Sequence, residues 1–121
     1  MGIDIKSFEV LYEDIVLYSV EVVDDTVRSI KRYNIVELPI SLKEGMSDGL
    51  MRFFEFRCFD RNRPDIKTIL RKIGVPYYNP YLICRKMHGL VAHDNTWVRF
   101  EDEQGLTYAR AKADISKFGG C

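Results

Sequence analysis

Two stretches in the middle of the chain share one grammar, and nothing else in the sequence constrains the fold as much. In "NRPDIKTILRKIG", residues 62–74, Pro64 suits the first turn of a helix, where a missing N–H is no loss. Asp65 complements the positive helix end. Ile66, Ile69, Leu70 and Ile73 then recur on one helical face, and Gly74 stops the segment. "PYYNPYLICRKMHG", residues 76–89, repeats the plan with Asn79 as cap, Pro80 at the first position, apolar Leu82, Ile83 and Met87, and Gly89 as stop. Two short helices joined by a short loop predict a helical hairpin.

On either side of this pair the apolar period drops from 3.6 to two. Phe8, Val10 and Tyr12 alternate with polar neighbours, as do Val16, Tyr18, Val20 and Val22. "VDDT" at 23–26 has the turn chemistry that joins adjacent strands, and Val27, Ser29 and Lys31 continue on the return. "YED" at 12–14 is a weaker break, so residues 7–33 predict an antiparallel meander. Pro39 marks an edge strand or linker, Gly45 and Gly49 flank a loop, and Ser47 is a candidate cap for a helix placing Leu50, Phe53 and Phe54 on one face. Beyond Gly89, Trp97, Arg99 and Glu101 point one way and Val98 and Phe100 the other. "EDEQG" at 101–105 reads as a hairpin loop, "LTYARA" as the returning strand and "RAKADISKF" as a short closing helix.

Strands, helices, then strands imply an α+β fold, with a C-terminal β-hairpin packing back on the sheet. The 121 residues are the length of one domain, and a chain of that size buries roughly two-thirds of its unfolded surface without needing staples. Eighteen basic residues balance eighteen acidic ones, which argues against a protein whose main business is neutralising phosphates. Cys58, Cys84 and Cys121 are odd in number and irregularly spaced, as suits reduced thiols in a cytoplasm rather than a disulfide framework. No apolar run of membrane-spanning length and no leader pattern stands out, so a cytoplasmic protein without a membrane partner is expected.

Three constellations carry possible chemistry. Cys84 and His88 are four apart on a helix, where two side chains share a face, and with His93 they suggest a small metal-binding or enzymatic protein. No C-x-x-C accompanies them, and Cys84 also reads as a small core residue. "HDN" at 93–95 contains an acid–base type, but His93 has no nucleophile or orienting group beside it in sequence. Asp94 and Asn95 more simply supply the turn that starts the strand carrying Trp97. "RCFDRNR" puts Arg57, Arg61 and Arg63 within seven residues, able to grip phosphate or a partner's carboxylates, or to form a solvated loop. There is no nucleophile elbow, phosphate loop or spaced carboxylate pair, so neither an enzyme nor a cofactor is expected.

Over residues 37–100, "ELPISL", "FRCFDRNRPDIKTILRKIGV" and "NPYLICRKMHGLVAHDNTWVRF" together resemble the N-terminal subdomain of bacterial HipA-type kinases. That family carries an arginine-rich loop, a glycine-ended helix, a second helix and a segment entering a strand at a tryptophan. Arg57, Asn62 and Arg63 match the first motif, and Gly89, Leu90, Asp94, Trp97 and Val98 match the last. Asp60 stands where proline is usual, and Val91-Ala92-His93 and Asn95-Thr96 depart from the family pattern. The resemblance implies an accessory subdomain without its kinase, an antitoxin-like protein that docks on a partner kinase and restrains it. Arg57, Arg61, Arg63, His93, Asp94, Asn95 and Trp97 are then the candidate partner-binding residues. A different partner follows from analogy alone: a small inhibitor carried by a phage or mobile element against a defence effector such as a CRISPR nuclease.

Overall fold

The computed structural model describes residues 5–34, 42, 49–90 and 95–118. Strands β1 (Ser7–Tyr12), β2 (Ile15–Val23) and β3 (Thr26–Arg32) run as the expected antiparallel meander. Both turns are two residues long, Glu13-Asp14 and Asp24-Asp25, and the positive φ of Glu13, Asp24 and Asp25 matches the twist tight hairpins require. Of the bulge or short turn that "YED" allows, the structure has the short turn.

Helices α1 (Gly49–Phe56), α2 (Ile66–Ile73) and α3 (Pro80–Met87) follow, then β4 (Thr96–Phe100) and α4 (Tyr108–Ser116). Pro64 and Asp65 stand just ahead of α2, and Asp65 is its N-cap position without a side-chain cap bond. Gly74 ends α2 in the left-handed conformation, as expected. At α3 the Asn79 side chain accepts from the N–H groups of Tyr81 and Leu82, and His88, not Gly89, is the first left-handed residue beyond it. The expectations at Pro39, Gly45, Ser47 and Cys121 lie outside the described residues.

The fold is α+β, with sheet order β3-β2-β1-β4. The C-terminal hairpin is a correction. β4 pairs with β1 from across the chain, and a single 3-10 turn (Glu101–Glu103) follows it. "LTYARA" is the cap and first turns of α4, because the Thr107 hydroxyl accepts from Arg110 N–H and so favours a helix start.

Two bulges correct the simple alternation. A register shift opposite Val10 and Leu11 skips Leu17 of β2 and turns Val16 to the face of Leu11 and Trp97, away from Tyr18 and Val20. A second, between Glu21 and Val22, puts Val27 and Ile30 rather than Ser29 and Lys31 toward the core. The main core joins Phe8, Val10, Val20, Val98 and Phe100 to the apolar stripes of α1, α2 and α3. Leu11 and Trp97, directly opposite in register, face the other way and meet Leu90 and Ala111 of α4 in a smaller cluster. β4 is thus buried on both faces, as the opposed directions of Trp97 and Val98 predict. No helix among the described residues is long and apolar enough to cross a membrane.

Candidate functional site

The five candidate residues that the structure describes separate into an internal group and a surface group. Arg57 follows α1 and turns inward, only 8% exposed. Its Nε donates to the Gly89 carbonyl at 3.1 Å and its Nη2 to the Thr96 carbonyl at 3.2 Å. One planar fork thereby ties the end of α1 to the second residue after α3 and to the first residue of β4. Arg57 is consequently an internal tie and leaves the candidate surface.

The guanidinium also lies near the buried Tyr18 phenol. Burial pushes that phenol up to about 12, with Arg57 acting in the opposite direction, so Tyr18 stays neutral.

Trp97 is fully buried, and its indole N–H donates to the Glu13 carbonyl at 2.6 Å. It too leaves the surface. Asn95 takes a left-handed backbone (φ 62°), accepts Glu13 N–H on its carbonyl at 3.0 Å, and accepts the Tyr108 hydroxyl on Oδ1 at 3.0 Å. This is the turn-into-strand role expected of it, stitched to the β1–β2 turn. His93 and Asp94 lie outside the described residues.

Arg61 and Arg63 remain at the surface, and each rests on an aromatic ring. The Arg61 guanidinium lies 4.9 Å from the Tyr78 centroid, and that of Arg63 lies 5.4 Å from Phe59. Arg63 Nε also donates to Asp65 at 2.7 Å, and Asn62 N–H to Asp60 at 2.8 Å, which shapes the loop between α1 and α2. The Tyr78 hydroxyl donates to the Phe59 carbonyl at 2.7 Å and lies 3.5 Å from the Cys58 thiol. Burial, the Cys58 contact and the nearby Glu55 carboxylate raise the Tyr78 phenol, with Arg61 opposing them.

Beside Glu55, Phe56 is 75% exposed. The sequence carries the signal for this: Leu50, Phe53 and Phe54 define the buried face of α1, and position 56 falls off it.

Cys84 and His88 do not converge. Cys84 points into the core, its thiol donating to the carbonyls of Phe54 and Arg57, and burial holds that thiol well above its ordinary value. His88 adopts the left-handed conformation, so the shared-face rule for i and i+4 fails just where the helix ends. Its buried ring sits between two carboxylates, Nε2 3.3 Å from Asp114 and Nδ1 3.4 Å from Glu103. The Nδ1 contact lacks hydrogen-bond geometry. Among the described residues, no three or more His, Cys, Asp or Glu side chains are grouped to hold a metal ion. A shallow hollow of about 400 Å³ adjoins His88, Arg110 and Asp114, and a larger open one of about 710 Å³ adjoins Lys6, Glu21, Asp24 and Arg28. Neither touches the arginine loop.

Compared with protein-family models, with curated proteins and with solved structures, the chain matches none.

Proposed function

We infer that this chain is a non-enzymatic protein-interaction module that docks on a partner and restrains it, with a HipA-type kinase as first candidate on the sequence resemblance. The observation that carries the reading is the surface around the α1–α2 loop. Arg61 stacked on Tyr78 and Arg63 stacked on Phe59 present ordered guanidinium groups, and Phe56 at the end of α1 is exposed. Arginine and aromatic side chains dominate interface energetics, because each offers large contact area with little rotamer freedom to lose once held.

The test is affinity purification of the tagged chain from its host lysate, with Arg61→Glu/Arg63→Glu alongside and thermal melting to confirm that the variant folds. A kinase recovered by the native chain and lost by the folded variant supports the reading. A defence nuclease recovered in its place moves the partner class to a mobile-element target. Recovery of no protein by the native chain overturns the interaction reading.

A further inference from the structure

We propose that His88 and Glu103 are a two-donor site for a tetrahedral divalent cation, Zn²⁺ above all, with Asp114 as the carboxylate that positions the imidazole. The proposal goes beyond the interaction reading and does not depend on it. It shares only His88 with the Cys84, His88 and His93 grouping that spacing suggests.

The first observation is an acceptor that faces an acceptor. His88 ends α3 in the left-handed conformation, and its side chain is only 8% exposed. Nε2 makes a hydrogen bond with Asp114 Oδ2 at 3.3 Å. An ionised carboxylate only accepts, so Nε2 donates there and Nδ1 is left as a lone pair. Nδ1 is buried without a hydrogen-bond partner and faces Glu103 Oε2 at 3.4 Å. Glu103 is held in that position, because its Oε1 accepts Phe100 N–H at 2.9 Å. Two lone pairs brought together away from water cost free energy, and a cation between them removes that cost.

The second observation is the separation itself. With Zn–N of about 2.0–2.1 Å and Zn–O of about 2.0–2.2 Å, two donors 3.4 Å apart subtend about 110° at the metal, the tetrahedral angle. An octahedral ion such as Mg²⁺ would hold them at about 90°, and so only about 3 Å apart. An imidazole paired with a carboxylate is also a donor set of Zn²⁺ rather than of Mg²⁺ or Ca²⁺. The Nε2–Asp114 hydrogen bond completes the pattern, since a metal-binding imidazole commonly donates its other N–H to a carboxylate that fixes tautomer and ring orientation.

The third observation is room and charge. His88, Glu103 and Asp114 line the same hollow of about 400 Å³ as Gln104 and Gly105, so water or the Gln104 amide oxygen can supply outer positions. Two carboxylates there outnumber the one guanidinium, Arg110. With two side-chain donors and no third grouped with them, the ion is exchangeable rather than a staple of the fold.

The test titrates Zn²⁺, and separately Co²⁺, into the chelator-stripped full chain, read by calorimetry and by the visible absorption of Co²⁺. The expected result is one saturable site, the intense Co²⁺ bands of four-coordination, and a melting temperature that rises with Zn²⁺. Glu103→Gln keeps an oxygen for Phe100 N–H but should weaken the site about tenfold or more and abolish the intense bands. Asp114→Asn should weaken binding about 10–100-fold while the bands persist at saturation, the mark of a positioning residue. Metal-free melting confirms that each variant folds. No saturable binding by the native chain, the faint bands of six-coordinate Co²⁺, or affinity indifferent to Glu103→Gln overturns the proposal. Binding abolished by His93→Gln or Cys121→Ser overturns it too, because the ion then sits on a different donor set. None of these outcomes bears on partner capture by Arg61 and Arg63, so the interaction reading stands or falls separately.

Discussion

Arg57 and Arg61 lie four residues apart in one stretch, and the two regions they belong to have opposite characters. The junction around Arg57 is dry: its guanidinium ties Gly89 and Thr96, beside a buried Trp97 that is itself tied to Glu13. The loop around Arg61 is wet, with guanidinium groups laid on rings at the surface. The chemistry of the side chain is the same in both places, and what differs is the cost of removing it. A buried donor that is lost leaves carbonyls without partners, whereas a surface donor is replaced by water. The junction should therefore govern stability and the loop should govern binding.

Trp97→Ala tests the dry side hardest. It empties a fully buried indole site and strands the Glu13 carbonyl, so a loss of about 3–5 kcal/mol in chemical denaturation is expected. A loss under 1 kcal/mol would mean that the smaller cluster unfolds separately and contributes little to the whole.

Arg57→Met comes next. It keeps the apolar stem but removes two charge-assisted bonds, for an expected loss of about 2–3 kcal/mol. Arg57→Lys should recover less than half of that, since a single ammonium does not span two carbonyls as the fork does.

Gly89→Ala follows, at about 1–3 kcal/mol. The residue has a left-handed backbone, and a Cβ there would come within 2.9 Å of Val98 Cγ2 in the core. Gly74→Ala is the control, because it shares the left-handed backbone but meets no atom within 4 Å. Equal losses would show that backbone conformation, and not contact with Val98, sets the cost.

On the wet side, Arg61→Ala and Arg63→Ala should each cost at most about 1 kcal/mol of stability while weakening partner capture about tenfold or more. A large drop in melting temperature would erase the contrast between the two regions.

Asp102 provides the smallest effect. Its hydrogen bond from Arg85 holds its carboxyl below the usual carboxylate range, so the pair contributes stability above the unfolded value of about 4 and loses it as pH falls. The Asp102 side chain is half exposed, which screens the pair, and Asp102→Asn should shift acid stability by well under 1 kcal/mol.

Much of the architecture was legible because it rests on local rules. Asn79-Pro80 reads as a helix start since both residues act within one turn, and Asp24-Asp25 reads as a strand turn for the same reason. The failures are where distant chain segments compete for the same residues. "LTYARA" has the alternation of a strand, but Thr107 caps a helix whose Ala111 packs against Leu11 and Trp97 from distant strands. Val16 continues a clean period of two with Tyr18 and Val20 until the bulge at Leu17 reverses it. The candidate site was half legible. The arginine-rich stretch marked the right segment, but spacing alone does not say which arginine turns inward.

From the sequence alone came the elements and their order as far as β4, the α+β class and the unusual density of arginine between two helices. Those follow from periodicity, caps and composition, which act over a few residues. Tertiary structure decided that Arg57 and Trp97 are internal, that Arg61 and Arg63 lie on rings at the surface, and that Phe56 is left in water. Arg57 and Trp97 turn inward to the carbonyls of Gly89, Thr96 and Glu13, and Arg61 rests on Tyr78, all supplied from far away in the chain. Burial is a property of the assembled core, and no window of a few residues contains it.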